Sequence, residues 1–159
     1  MTMKKASLFL AILAVLALLT VLWQTLHQEL IVTGQGLNAV EAERLEKEYT
    51  SWIDAIENRQ FVGFVYQEEP TADKAQFVTY TLRLRNDGLL PAEMVEMQLV
   101  AEAGDIAAYQ DPAEVDIAPG GEGTLSLTLL TASKASLRRD IVVTYYLWGR
   151  LYSIRYTLS

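Results

Sequence analysis

The run ASLFLAILAVLALLTVLW, residues 6–23, carries no charged side chain, and no other stretch constrains the chain as strongly. With residues 24–26 added it reaches the roughly 20 residues that an α-helix needs to cross the hydrocarbon of a bilayer. Lys4 and Lys5 precede it, and no lysine or arginine follows until Arg44. That asymmetry predicts a cytoplasmic N-terminus at 1–5, a transmembrane helix at 6–26 and an extracytoplasmic remainder in a single-pass membrane protein. Lys4, Lys5 and Trp23 are the candidate membrane-interface residues, a basic pair at one end and an interfacial aromatic at the other.

A cleaved signal peptide shares the basic start, but it has a shorter apolar core with a small-x-small cleavage site behind it. Here LWQTLHQEL follows, so the run reads as an uncleaved signal anchor. Lys4, Lys5 and Ala6 also resemble the short basic leader that archaeal-type prepilin peptidases cut ahead of a hydrophobic helix. That resemblance implies an alternative, a pilin-like filament subunit whose N-terminal helices form the filament core. Ser7 after the cut and the lack of an early acidic residue depart from that pattern. Gly34 and Gly36 would also interrupt a helix that a filament needs continuous well past Trp23.

The 13 Lys and Arg against 20 Asp and Glu leave a net charge of -7. Phosphate binding needs clustered cations, so nucleic acid is not an expected partner. With no cysteine and one histidine, His27, thiolate chemistry, disulfides and a Ser-His-Asp arrangement are excluded or unsupported. The acidic residues Asp105, Asp111, Glu114 and Asp116 match no calcium-loop spacing and read as solvated turn charges, as do Glu68 and Glu69. Gly120, Gly121 and Gly123 stand between strands and not ahead of a helix, so they read as turn residues and not as a phosphate loop. No catalytic residue, cofactor, metal site or small-molecule substrate is expected.

Residues 27–37 read as a linker broken at Gly34-Gln35-Gly36. An amphipathic helix is expected at 38–59, opened by Asn38 and Glu41 in the form of a capping box. Leu45, Tyr49, Trp52, Ile53 and Ile56 recur at spacings of three and four and form its apolar stripe. Glu43 and Lys47 add an i,i+4 pair. The stripe is expected to pack on the following domain and not as a coiled-coil seam to a second copy, for which too few heptads are available.

From Phe61 onward the period of the hydrophobic pattern becomes 2. Strands are expected at 61–67, 76–86, 94–102, 106–109, 115–117, 124–130, 140–148 and 150–158, with turn residues at Asn86-Asp87-Gly88 and Ala118-Pro119-Gly120-Gly121. Seven or eight short antiparallel strands predict an immunoglobulin-like β-sandwich over 60–159. The segments LRLRNDGLLPAEMVEMQLV and VDIAPGGEGTLSLTL resemble the bacterial and archaeal immunoglobulin-like domains of the CARDB and LEA type 2 kind. In those, an Asn-x-Gly or Asn-Pro turn and an Ile-x-Pro-Gly-Gly turn introduce alternating strands. The resemblance covers about half the chain and implies an extracytoplasmic module for adhesion, spacing or partner contact, with no catalytic residue.

The last strands, in TYYLWGRLYSIRY at 144–156, read as a hairpin with Gly149-Arg150 at its tip in a type II′ turn. Trp148 would then face Leu151, Leu147 face Tyr152, Tyr145 face Ile154, Val143 face Tyr156 and Ile141 face Leu158. The last four pairs form an apolar core side. The opposite side holds Val142, Tyr146, Trp148, Leu151 and Arg155, rich in the residue types of interface hot spots. It is the candidate contact face for a protein partner, for self-association, or for the amphipathic helix of the same chain.

Overall fold

The computed structural model describes residues 3–26, 30–67 and 74–158, with side chains in α1 described from Phe9 to Trp23. Among these, α1 (Met3–Leu26) is followed by β1 (Leu30–Glu41), a 3-10 turn (Ala42–Leu45) and α2 (Glu46–Glu57). The strands β2 (Phe64–Val65), β3 (Ala75–Asn86), β4 (Ala92–Leu99), β5 (Asp105–Asp111), β6 (Val115–Ile117), β7 (Glu122–Ala132), β8 (Arg139–Leu147) and β9 (Arg150–Leu158) complete the domain. Two antiparallel sheets form, in the orders β1-β3-β7-β5-β2 and β6-β4-β8-β9.

Strict alternation makes the sandwich. In β3, Val78, Tyr80, Leu82 and Leu84 are fully buried, and β7 sets Leu129, Leu127 and Leu125 opposite the first three. Val95, Met97, Leu99, Ile141, Val143, Tyr145 and Leu147 close the layer from the second sheet. Each large apolar side chain buried this way contributes about 1.5–3 kcal/mol.

The outer face of β3 and β7 changes character along its length. Thr79 and Thr128 share a hydroxyl hydrogen bond at 3.2 Å, whereas the next pair outward, Phe77 and Leu130, is apolar and buried. The α2 stripe covers that apolar end: Leu45, Tyr49, Trp52, Ile53 and Ile56 pack with Phe61, Phe77, Ala107 and Leu130. The stripe therefore docks on the first sheet, not on the C-terminal hairpin.

The two turns that the sequence marks are tied by one residue. Buried Asn86 donates from Nδ2 to the carbonyls of Leu90 at 2.7 Å and Ile117 at 2.9 Å, and its Oδ1 accepts from the Gly88 N–H at 2.9 Å. Its backbone bonds Gly120 and Gly121 in the other turn. The Asn-Asp-Gly and Pro-Gly-Gly segments are thus two halves of one hydrogen-bonded corner.

Two expectations are corrected. The stretch expected as linker and helix start is β1, in antiparallel register with β3 from Leu30 opposite Asn86 to Glu41 opposite Gln76. Asn38 lies in that strand and caps nothing; α2 begins at Glu46 with no side-chain cap. Pairing with the whole length of β3 outweighs the local capping signal, and a bulge between Val32 and Gly34 absorbs the glycine interruption. Second, Asp105 is 1% exposed and is not a solvated turn charge. Among the described residues no helix is long and apolar enough to cross a membrane. The described α1 side chains, from Phe9 to Trp23, are all exposed. His27, Glu29, Glu68 and Glu69 lie outside the described residues.

Candidate functional site on the C-terminal hairpin

Strands β8 and β9 pair without a register break from Arg139 opposite Leu158 to Leu147 opposite Arg150. The loop is therefore Trp148-Gly149 and not Gly149-Arg150. Both loop residues have positive φ, 53° and 70°, which is the type I′ requirement, in place of the expected II′. The register is displaced from the expected one: Tyr145 faces Tyr152, Val143 faces Ile154 and Tyr146 faces Leu151. Because the turn moves by one residue on each strand, the displacement leaves every side chain on its expected face.

The candidate residues are accordingly brought together. Val142 stands opposite Arg155, and Tyr146 opposite Leu151, on the solvent side of the second sheet. Trp148 projects at the tip, 83% exposed, beside Leu151 at 61% and Tyr146 at 36%. Glu93 lies opposite Tyr146, and Glu96 opposite Thr144. Thr144 donates to Glu96 Oε1 at 2.9 Å. Arg155 is engaged within the chain: its Nη2 meets Asp140 Oδ2 at 2.8 Å, and Thr157 donates to Asp140 Oδ1 at 2.6 Å. The Thr157 hydrogen bond first, and the Arg155 hydrogen bond second, hold the Asp140 carboxyl below its ordinary range. Of the membrane-interface residues, Lys4 and Lys5 fall in the first turns of α1, and Trp23 lies near its end, 61% exposed.

The sequence reading missed a buried polar cluster at one end of the sandwich. Arg139 Nη2 lies 2.8 Å from Asp105 Oδ1, and both side chains are fully buried. Arg139 Nη1 reaches Glu102 Oε2 at 3.1 Å and the Arg138 carbonyl at 3.0 Å, and it also donates to the Ser136 carbonyl. Asp105 accepts from Thr131 Oγ1 at 2.9 Å and from the Glu102 N–H at 2.8 Å. Burial alone would pull the Arg139 pKa down; the hydrogen bond and charge of Asp105 more than offset it and raise it. The cluster clamps the start of β5 in one sheet to the start of β8 in the other. The only hint in the sequence is a charged residue in phase with the inward positions 141, 143 and 145.

Tyr80 ends beside this cluster, its hydroxyl donating to the Leu137 carbonyl at 2.9 Å. Burial, and less strongly the charges of Asp105 and Glu102, push its pKa up to about 12 against the lowering influence of Arg139. A folded-state pKa above the unfolded value of about 10 means that the stabilisation is complete below pH 10 and is lost as pH rises through 12. We expect the full chain to lose on the order of 2 kcal/mol across that interval, with a Tyr80→Phe variant losing less. Denaturant midpoints followed by circular dichroism at pH 9 and pH 11.5 would measure this, and equal pH slopes for the two proteins would refute it.

Among the described residues no three acidic or imidazole side chains form a group that could hold a metal. A hollow of about 190 Å³ between β2, β4 and β5 is lined by Phe64, Met97, Tyr109 and Gln110, apart from the hairpin tip. Compared with known protein families and with curated proteins, the chain matches none.

Proposed function

We propose that this chain is a single-pass, membrane-anchored module that presents an immunoglobulin-like sandwich outside the cytoplasm and acts by protein–protein contact, without catalysis, through the outer face of β8 and β9. Several observations support the fold and topology reading. The order β1-β3-β7-β5 facing β4-β8-β9 corresponds to the A-B-E-D and C-F-G sheets of the constant-type immunoglobulin sandwich, with β2 and β6 added at edges. The turn pattern of the CARDB and LEA type 2 domains coincides with the Asn86 corner. The exposed apolar side chains of α1 and the Lys4-Lys5 pair suit an anchor with its N-terminus inside. A pilin-like filament needs its helix to continue well past Trp23, whereas α1 ends at Leu26 and β1 starts at Leu30.

The observation that carries the contact reading is Trp148. A left-handed backbone at a bulky residue is an outlier that costs free energy, and type I′ turns favour Asn, Asp or Gly there. Here the position holds the most exposed large hydrophobic side chain among the described residues, 83% accessible. Neither folding nor core packing accounts for it, which supports a binding role. Trp148→Asn should therefore leave stability unchanged or raise it by about 0.5–1 kcal/mol. It should also abolish photo-crosslinking of a protein other than a second copy of the chain from a photoreactive residue at Leu151, while a control at Ser126 yields no such cross-link in either background. Persistence of the Leu151 cross-link in Trp148→Asn would sink the contact assignment. Because the chain lacks cysteine, labelling of an Ala103→Cys variant, in the exposed turn before β5 and off the β8–β9 outer face, by a membrane-impermeant maleimide on intact cells tests the topology; protection from the reagent would reverse it.

A further inference from the structure

A sheet edge is a row of unpaired N–H and C=O groups that invites another strand, and proteins blunt such edges by shortness, bulges, proline or charge. Four edges exist among the described residues: β1, β2, β6 and β9. The β2 edge is 2 residues long and the β6 edge 3 residues long. The β1 edge is broken by its bulge between Val32 and Gly34. The β9 edge is 9 residues long, in unbroken register, with no proline or lysine. Its Arg155, which could deter pairing, is held by Asp140.

The core-side residues of β9 are also incompletely covered. On β8, Ile141, Val143 and Tyr145 are at most 2% exposed, but the residues paired with them, Tyr156, Ile154 and Tyr152, are only half-buried. Tyr145 and Tyr152 stack with ring centroids 5.8 Å apart, which leaves the far side of Tyr152 unlined by any further strand of that sheet.

We infer that the partner for this edge is a second copy of the chain, joined by antiparallel β9–β9 pairing centred on Ile154. The sequence of the strand supports one register. With Ile154 opposite Ile154 of the second copy, Tyr152 falls opposite Tyr156 and Tyr156 opposite Tyr152, so the half-buried rings cover one another on the core side. Ser153 falls opposite Arg155, Leu151 opposite Thr157 and Arg150 opposite Leu158, so no like charges meet directly. The pairing is isologous and closes at two, extending β6-β4-β8-β9 into one eight-stranded sheet. It is separate from the Trp148 contact reading, since it rests on the strand edge and its core-side row and not on the turn, although Leu151 borders both contacts.

Single-cysteine cross-linking of the full chain in mild detergent tests it. Ile154→Cys should form a disulfide dimer on mild oxidation, because directly opposed Cα atoms lie within disulfide reach. Tyr152→Cys and Tyr156→Cys, each four positions from its own image and so roughly 13 Å along the strand, should yield at least about tenfold less. The two combined in one chain should restore the dimer. Sedimentation of the unmodified chain should show the same dimer, which excludes an artefact of the substitution. A monomer at about 100 μM, equal cross-linking at all three positions, or a sedimenting dimer without the Ile154→Cys disulfide would each overturn the proposal. The last result would move self-association to α1. Mixed cross-linking of Ile154→Cys with Leu37→Cys would instead indicate an open β1–β9 chain of copies.

Discussion

Arg139→Met should destabilise the domain by about 3–5 kcal/mol, a large share of the 5–15 kcal/mol that a domain of this size possesses. The reason is an asymmetry. A buried ion pair adds little over a well-packed apolar pair, but removing one partner strands the other charge in a medium that cannot solvate it. Asp105 would keep Thr131 and the Glu102 N–H as partners but lose the charge that neutralises it at 2.8 Å. The loop at 133–138 would also lose the guanidinium that binds the Ser136 and Arg138 carbonyls. The double variant Arg139→Met/Asp105→Leu should recover most of the loss, since it removes the stranded charge as well as its partner. Denaturant unfolding of the full chain, with the slope m unchanged and the midpoint shifted, measures both. If the double variant were as unstable as the sum of the singles, the pair would not be the coupled unit inferred from its geometry.

Trp52→Ala should cost about 3 kcal/mol, at the lower end of the range for large aromatics because the ring is half-buried. Trp52 meets Phe61 edge-on at 4.9 Å between centroids and Phe77 at 5.2 Å, and such pairs add to plain area burial. The distribution of the effect is as informative as its size. α2 is fastened to the outside of a sandwich whose own core does not include it. The substitution should therefore release α2 by local unfolding while β3 and β7 remain folded. Hydrogen exchange would show amides at Glu46–Glu57 losing protection and those at 78–84 and 125–129 keeping it. Uniform loss of protection across all these segments would mean that α2 is integral to the core and not a clasp upon it.

How much of this was legible beforehand depended on the range of the interactions involved. Eight of the nine described strands stand where the sequence pattern places one, and in β3, β8 and β9 the reason is local alternation: a strand with one wet face and one dry face writes a period of 2 into its own residues. The hairpin faces were legible for the same reason even though the turn was placed one residue late: a displacement that preserves parity cannot turn a side chain over. Gly149 marks the turn in the sequence itself, whereas Trp148 at positive φ runs against local propensity and is visible only in the fold.

What the sequence alone determined was the alternation, the two glycine-rich turns, the α2 stripe and the gathering of Val142, Tyr146, Trp148, Leu151 and Arg155 on one side of a hairpin. These are set by neighbours within a few residues, where side-chain period and backbone sterics suffice. Tertiary structure alone decided that 30–41 is a strand, that α2 lies on the first sheet, and that Asp105 and Arg139 are a buried pair. Each of these depends on residues 25 or more positions apart, such as β1 with β3, Trp52 with Phe77, and Asp105 with Arg139. In each, the free energy of a surface or charge finding its complement across the fold overrides a local preference that pointed elsewhere.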